Sequence, residues 1–502
     1  MKKIIVLILA LTFILTAFAC TKTENEKPVT TDPNVTTPGV TPPVTTPEIT
    51  TTEDKTTPDL PDITFNGAKY RVSTRANALS YEVFADETAT DIRQQALWER
   101  NEAVEDKYGV TIEPIVNQGG GFYDHVTELG VWLRAGDDMY DLSLTYAASC
   151  VGLITNGFAV NWLNLKYNDL SKDYWLNDVN DLLTFDDAIY LAVGEMSITT
   201  LLNTYAMFYN RSEGNKILNE DDETLTDTIF NAIRNEEWTM DYFISIVNDI
   251  YTDMDDVMGP SAGDFYGFSA EALTNLDIWQ FAFDIPMIVQ DETAGLRSVF
   301  NSEKTATMVD KLNDLYWETK GSYISGQCTN AFIQGNVVFH TTWLERCFKD
   351  LPDMEENYTI LPYPMYDENQ EKYLSGVMDN YNVLSVPYTC TNLDMVSVIT
   401  EALNYESKTR LYPVYYEKSL QSQYNRDPET VEMLDIVMTG RTFDIGTIFG
   451  PFLGHMGAMV RTVVGYKNRD FSKYYDSQIE IINSGIEDIM EQYNLNKIVG
   501  KE

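Results

Sequence analysis

Lys69-Tyr70-Arg71-Val72 and, further on, Val110-Thr111-Ile112-Glu113-Pro114-Ile115-Val116 frame the segment whose reading decides the fold. Both runs are short, rich in β-branched and aromatic residues, and read as strands. Between them Ile92, Ala96, Leu97, Ala103 and Val104 recur near the 3.6-residue helical period. Thr90 is placed to cap the start of that helix. Gly109 is placed to stop it, because glycine adopts the left-handed conformation of a helix end without steric cost. Strand, helix, strand makes a βαβ unit and therefore a parallel pair.

Working outward, a second helix through His125 to Arg134 leads to the strand Tyr140-Asp141-Leu142-Ser143-Leu144. Alternation of strands and helices predicts an α/β class with a doubly wound sheet, whose ligands sit beyond the carboxyl ends of the strands. That points to the loops 73–84 and 145–149. The texture recurs later without a sequence repeat. Tyr205-Ala206-Met207-Phe208-Tyr209 reads as a strand, Thr239 caps a helix carrying Phe243 and Val247, and Asn336-Val337-Val338-Phe339-His340 reads as another strand. From Tyr412 onward the chain is expected to be mostly helical.

The chain has 502 residues, 77 acidic against 35 basic, with a formal charge of -42. That balance argues against nucleic acid and anionic membrane as partners. Residues 1–20 begin Met1-Lys2-Lys3, continue as an apolar run and end Ala17-Phe18-Ala19-Cys20, the order of an export signal. Cys20 suits lipid attachment, although Ala17 stands where a lipoprotein signal usually has leucine. Residues 21–61 are rich in Thr and Pro and predict an unstructured tether that holds the body near a membrane. Cys150, Cys328, Cys347 and Cys390 are widely spaced and read as small buried apolar residues, with disulfide formation left open. His125, His340 and His455 have no second histidine at metal-ligand spacing, which argues against a zinc hydrolase; no cofactor is expected, no metal ligand is singled out, and metal binding is left open. Gly119-Gly120-Gly121 lacks the Gly-Lys-Ser/Thr of a phosphate loop and reads as a turn. The run Asp253, Asp255, Asp256 lacks the glycine of a calcium loop.

A set of stretches in fixed order carries a family likeness: Glu99-Arg100-Asn101, Tyr108-Gly109-Val110, Tyr140-Asp141-Leu142, Asp173-Tyr174-Trp175, Ile189 to Gly194, Phe208-Tyr209-Asn210, Glu237-Trp238-Thr239 and Phe265-Tyr266-Gly267-Phe268. The block from Phe332-Ile333-Gln334-Gly335 through Ile360-Leu361-Pro362-Tyr363-Pro364 is the most specific. With these the chain resembles the extracellular solute-binding lipoproteins of bacterial ABC importers, the large sugar-binding type distantly similar to maltose-binding protein. The resemblance implies a type II periplasmic-binding-protein fold, with two α/β lobes joined by a hinge and a ligand cleft between them. It implies lobe 1 over 62–195 and 326–405 and lobe 2 over 196–325 and 406–502, with crossings near 194–200, 325–331 and 405–410.

It also implies a monomer without enzymatic activity that takes a small-molecule ligand, a sugar, and hands it to ABC permease subunits in the membrane. A pyranose presents an apolar face for aromatic stacking and hydroxyls for polar groups. Candidates on that basis are Tyr81 and Tyr146 from the first lobe, Glu195 beside the first crossing, Trp279, Trp343, Asp379 and Asn380. Phe449 and Phe452 lie in a glycine-rich segment where the sugar-binding family presents an aromatic. The competing expectations are a secreted polysaccharide hydrolase and a sensor or adhesin built on the same fold.

Overall fold

The structure, a computed structural model, describes residues 54–185, 187–219, 221–255, 257–271, 273–291, 295–355, 357–421 and 428–499. Cys20, the export signal and the tether up to residue 53 lie outside the described residues. Among the described residues no helix is long and apolar enough to cross a membrane.

The βαβ unit is present. Ala68–Arg75 and Val110–Asn117 pair in parallel, with Tyr70 opposite Ile112 and Val72 opposite Pro114. The helix between them, Ile92–Tyr108, is capped by Asp91, which accepts from the Arg93 backbone N–H, and not by the expected Thr90. The Asp91 carboxylate, one residue nearer the helix, lies within reach of the free N–H. Gly109 ends the helix at φ 60, and a side chain there would collide with Thr64 Oγ1. Leu142–Tyr146 joins Ala68–Arg75 in parallel, and Asn382–Ser385 adds an antiparallel edge beside Leu142–Tyr146, completing a 4-stranded sheet.

A second, 6-stranded sheet is built around Tyr205–Asn210, which pairs antiparallel with both Val337–Trp343 and Tyr358–Leu361. All of Tyr205–Asn210 is buried, the mark of a strand covered on both faces. Phe265–Ala270, Tyr251–Thr252 and Ser322–Ile324 complete the sheet. The two α/β lobes and the helical C-terminal part are as expected, with the long helix Ile479–Val499 last.

The expected lobe boundaries need correcting. Residues 326–405 were assigned to the first lobe and 325–331 to a return crossing, yet Val337–Trp343 and Tyr358–Leu361 both belong to the second sheet. The chain returns to the first sheet only between Leu361 and Asn382. Strands buried in this way fit either sheet equally well, so local sequence does not reveal which partner they take. The way back runs through Ser375–Gly376, which pairs with Arg441–Thr442 from the C-terminal part.

The end of the tether also differs from expectation. Residues 54–61 lie on the body: Leu60 packs against the core, the Asp54 carbonyl accepts from Lys172 Nζ, and the Lys55 carbonyl accepts from the Asp173 N–H. A nearby buried anchor is Glu401 on the helix Leu393–Glu406, which accepts from Tyr174 Oη at 2.5 Å and Trp175 Nε1 at 3.0 Å. These bonds hold the 168–175 segment against the first lobe. The cysteines at 150, 328, 347 and 390 are free and buried.

Candidate functional site

A cleft of about 380 Å³ opens at the carboxyl end of the first sheet. That volume lies within the roughly 300–1,000 Å³ typical of small-molecule sites. One wall comes from the first lobe. Tyr146 is the last residue of its strand, and Phe122 follows Val110–Asn117 in the adjoining loop, as the strand-end rule requires. Their rings stack with centroids 5.1 Å apart and planes inclined by 13°.

The opposite wall is Thr274, Asp277, Ile278 and Phe281, from the segment that follows the second-sheet strand Phe265–Ala270. Val377, Met378, Asp379 and Asn380 form the floor, in the stretch that carries the chain back to Asn382–Ser385. Thr447, Gly457 and Arg461 close the cleft from the C-terminal part. Gly457 has no side chain because a Cβ there would press on Thr447.

The polar groups are unevenly matched. Arg461 Nη2 pairs with Asp277 Oδ2 at 2.8 Å, the two side chains being 30% and 16% exposed. Asp277 Oδ1, Asn380 Oδ1 and Thr447 Oγ1 are buried and have no hydrogen-bond partner in the protein. Buried polar atoms without a partner are costly until something bonds to them. Burial pushes the Asp277 carboxyl well above the ordinary carboxylate range, and Arg461 offsets this only in part. Burial raises Asp379 as well, again opposed by Arg461.

Behind the first wall sits a buried charged network. Arg75 lies over the Tyr146 ring and donates from Nη2 to Asn382 Oδ1 at 2.6 Å. Asn382 Nδ2 donates to Glu82 Oε2, and Glu82 Oε1 accepts from the Thr199 N–H at 2.9 Å and the Thr199 hydroxyl at 2.5 Å. Burial raises Glu82 and lowers Arg75 to about 9.

Of the sequence candidates, Tyr146, Asp379 and Asn380 come together in this cleft. Trp279 does not, contrary to expectation: it is 0% exposed, and its Nε1 donates to Tyr316 Oη at 3.2 Å inside the core. Its neighbours Asp277 and Phe281 are the residues that face the cleft. Two positions either way on a helical turn point to the opposite side, so the right segment was chosen with the wrong phase. Phe449 is likewise in the core, against Phe185. Phe452 lines a neighbouring cavity with Tyr123, Arg134 and Phe158. Tyr81 is half-buried with Lys349 Nζ 5.8 Å from its ring centre, and Trp343 is stacked by Arg346; neither lines the cleft. Glu195 is bound to Lys408 Nζ at 2.8 Å and faces a separate cavity with Trp175, Arg441 and Phe443.

Sequence reasoning missed Phe122, Asp277, Phe281 and Arg461. Phe122 was findable, since it sits beyond the carboxyl end of a predicted strand. Arg461 carried no local signal, because its partner Asp277 is brought to it only by the fold.

The other sequence features resolve as local structure. In the glycine turn, Gly121 N–H donates to Asp124 Oδ2 and Gly119 N–H to Asn117 Oδ1, so protein carboxylate and amide oxygens occupy the amides. Asp253 and Asp255 converge with Asp264 within 4.8 Å, while Asp256 lies outside the described residues. Asp264 is taken up by the Met254 and Ser261 N–H groups and by Tyr266 Oη, and Asp255 by Ser261 Oγ. His125 bonds Ser73 and His340 bonds Ser269, both in the interior.

No protein-family model matches the sequence, and no curated protein matches it. Solved structures do match. An ABC substrate-binding protein from Listeria monocytogenes in complex with cycloalternan superposes with a TM-score of 0.50 at 11% identity, covering 85% of this chain and 99% of that one. The GacH receptor of Streptomyces glaucescens, studied unliganded and with acarbose, gives 0.51 at 12% identity, over 83% and 99%. A cyclo/maltodextrin-binding protein complexed with maltotetraose gives 0.51 at 12% identity, over 85% and 97%. The fold is that of the type II periplasmic-binding proteins.

Proposed function

We propose that this protein is an extracellular solute-binding protein that captures a carbohydrate and delivers it to an ABC permease. The observation that carries the reading is the cleft itself, where stacked Phe122 and Tyr146 face Phe281 across a floor of Asp379 and Asn380. Apolar sugar faces need such rings, and sugar hydroxyls need such acceptors. The structural neighbours with cycloalternan, acarbose and maltotetraose support the same class. Walls drawn from both lobes give a ligand more contacts when the lobes close on it, and that difference drives closure.

In this reading Cys20 carries the lipid anchor on the outer face of the cell membrane. The tether then keeps a monomeric body within reach of the permease. The test is a thermal-shift and calorimetric screen of the protein against saccharides, amino acids and peptides. A true ligand at a hundredfold excess over Kd stabilises by about 2.7 kcal/mol. If peptides shift the melting temperature and no saccharide does, the substrate class is wrong.

A second reading, a glycoside hydrolase, draws on Asp277 and Asp379, two carboxyls raised by burial in one cleft. Release of reducing ends from a bound oligosaccharide decides for it; unchanged oligosaccharide decides for capture.

A further inference from the structure

The charges lining and backing the cleft do not balance. Arg461 is committed to Asp277, and Arg75 stands beside Glu82 in the buried network behind Tyr146. Asp379 feels Arg461 only from beyond ion-pair distance, and among the described residues no cation pairs with it directly, so one guanidinium serves two carboxyls. Asp277 Oδ1 and Asn380 Oδ1 are unpartnered acceptors lining the cleft, Thr447 Oγ1 is an unpartnered hydroxyl able to donate or accept, and Nη2 of the cleft's guanidinium is engaged by Asp277. With two carboxyls against one guanidinium in its lining, the cleft therefore favours a ligand that donates hydrogen bonds to these oxygens and brings positive charge. Neutral sugars, whose hydroxyls donate and accept alike, answer only half of that demand.

Two further features select in the same direction. The rings of Phe122 and Phe281 line the cleft, and an aromatic ring attracts a cation as well as an apolar sugar face; Tyr146 backs Phe122, its own ring covered by Phe122 and Arg75. The formal charge of -42 steers cations toward the protein and repels uronic acids and sugar phosphates.

We propose that the ligand is an amino sugar, a saccharide carrying a primary ammonium group held by Asp379, with Asp277 Oδ1 and Asn380 Oδ1 accepting from its hydroxyls. The inference rests on the carbohydrate-capture reading and narrows its substrate class. An ammonium supplies three donors and one positive charge to a carboxylate that has no direct ion pair, and such charge-assisted bonds are the strong ones.

Calorimetry on the whole exported body with β-1,4-linked glucosamine dimers and trimers, their N-acetylated counterparts and neutral glucose oligomers of the same linkage tests this. The free amine is expected to bind at least about tenfold tighter than either uncharged series, and Asp379→Asn to bring that ratio close to one. The ligand-side comparison needs no variant, so it stands even if the substitution impairs folding. Equal or tighter binding of the acetylated or neutral oligomers overturns the ammonium assignment and leaves carbohydrate capture intact. Failure of every saccharide overturns both.

Discussion

The guanidinium carbon of Arg75 lies 2.9 Å from the centre of the Tyr146 ring, so the aromatic platform of the cleft rests on a buried cation. That cation is fixed by Asn382, at the start of an edge strand, and Asn382 is fixed in turn by Glu82 and by Thr199. Thr199 lies in the segment through which the chain leaves the first lobe for the second sheet. Platform and crossing are thus joined by one hydrogen-bonded chain.

The first prediction concerns that chain. Arg75→Lys keeps the charge but loses the planar fork that serves Asn382 and Asn77 together while covering the ring. Ligand affinity is expected to fall about tenfold, roughly 1.4 kcal/mol. Tyr146→Phe keeps the ring and loses only the bond from Asn77 Nδ2, so it should cost much less. Calorimetry on both variants checks this; wild-type affinity in Arg75→Lys would show that the platform does not depend on its support.

Phe281 and Trp279 should separate binding from stability. Phe281→Ala removes a cleft wall and is expected to weaken binding by one to two decades, about 1–3 kcal/mol, together with a loss of stability, since the ring is only 6% exposed. Trp279→Ala empties a core position and should cost about 3–5 kcal/mol of stability. Paired thermal melts and ligand titrations distinguish the two. The opposite pattern would reverse the assignment of cleft and core on this segment.

Asp444 provides a pH signature. It is buried, accepts from the Met287 and Gly446 N–H groups, and is pushed by burial to about 7 from an ordinary value of 3.8. Between those values the folded protein keeps a proton that the unfolded chain has released. Stability should therefore fall as pH rises from about 4 to about 7 and level off above that. Burial shifts Glu82, Asp277, Asp379 and Glu401 in the same direction, so they reinforce the slope. Urea unfolding at stepped pH should show a shallower slope for Asp444→Asn than for the parent; an equal slope removes Asp444 as a contributor.

Cys20→Ala tests the proposed anchorage. If Cys20 carries the lipid, the variant should be exported but recovered from the medium, while the parent stays with the membrane fraction. Both proteins should bind ligand equally, since residues 54–61 already dock on the body through Lys172 and Leu60. Retention of the variant at the membrane would remove the lipid anchor from the account.

Local chemistry made a good part of this protein legible. The strand Ala68–Arg75, the helix ended by Gly109 and the strand Val110–Asn117 follow from apolar period and a glycine stop, signals carried by residues next to one another in sequence. Tyr146 was within reach for the same reason, since it sits just beyond a predicted strand, and Asn380 precedes the strand Asn382–Ser385. What sequence could not supply was pairing at a distance. The run 336–340 reads as a strand but does not say which sheet receives it, because a strand buried on both faces is equally at home in either core. Whether Trp279 or Asp277 faces the ligand turned on a helical phase set by the packing of Tyr316 and Tyr363 around the indole. Asp277 and Arg461, 184 positions apart in the numbering, meet only in the folded chain, and with them the excess of carboxylate that defines the cleft. Sequence by itself determined the elements and the fold class, since those depend on neighbours a few residues away. Only the tertiary structure decided the site, whose chemistry is the sum of charges and surfaces that long-range packing brings together.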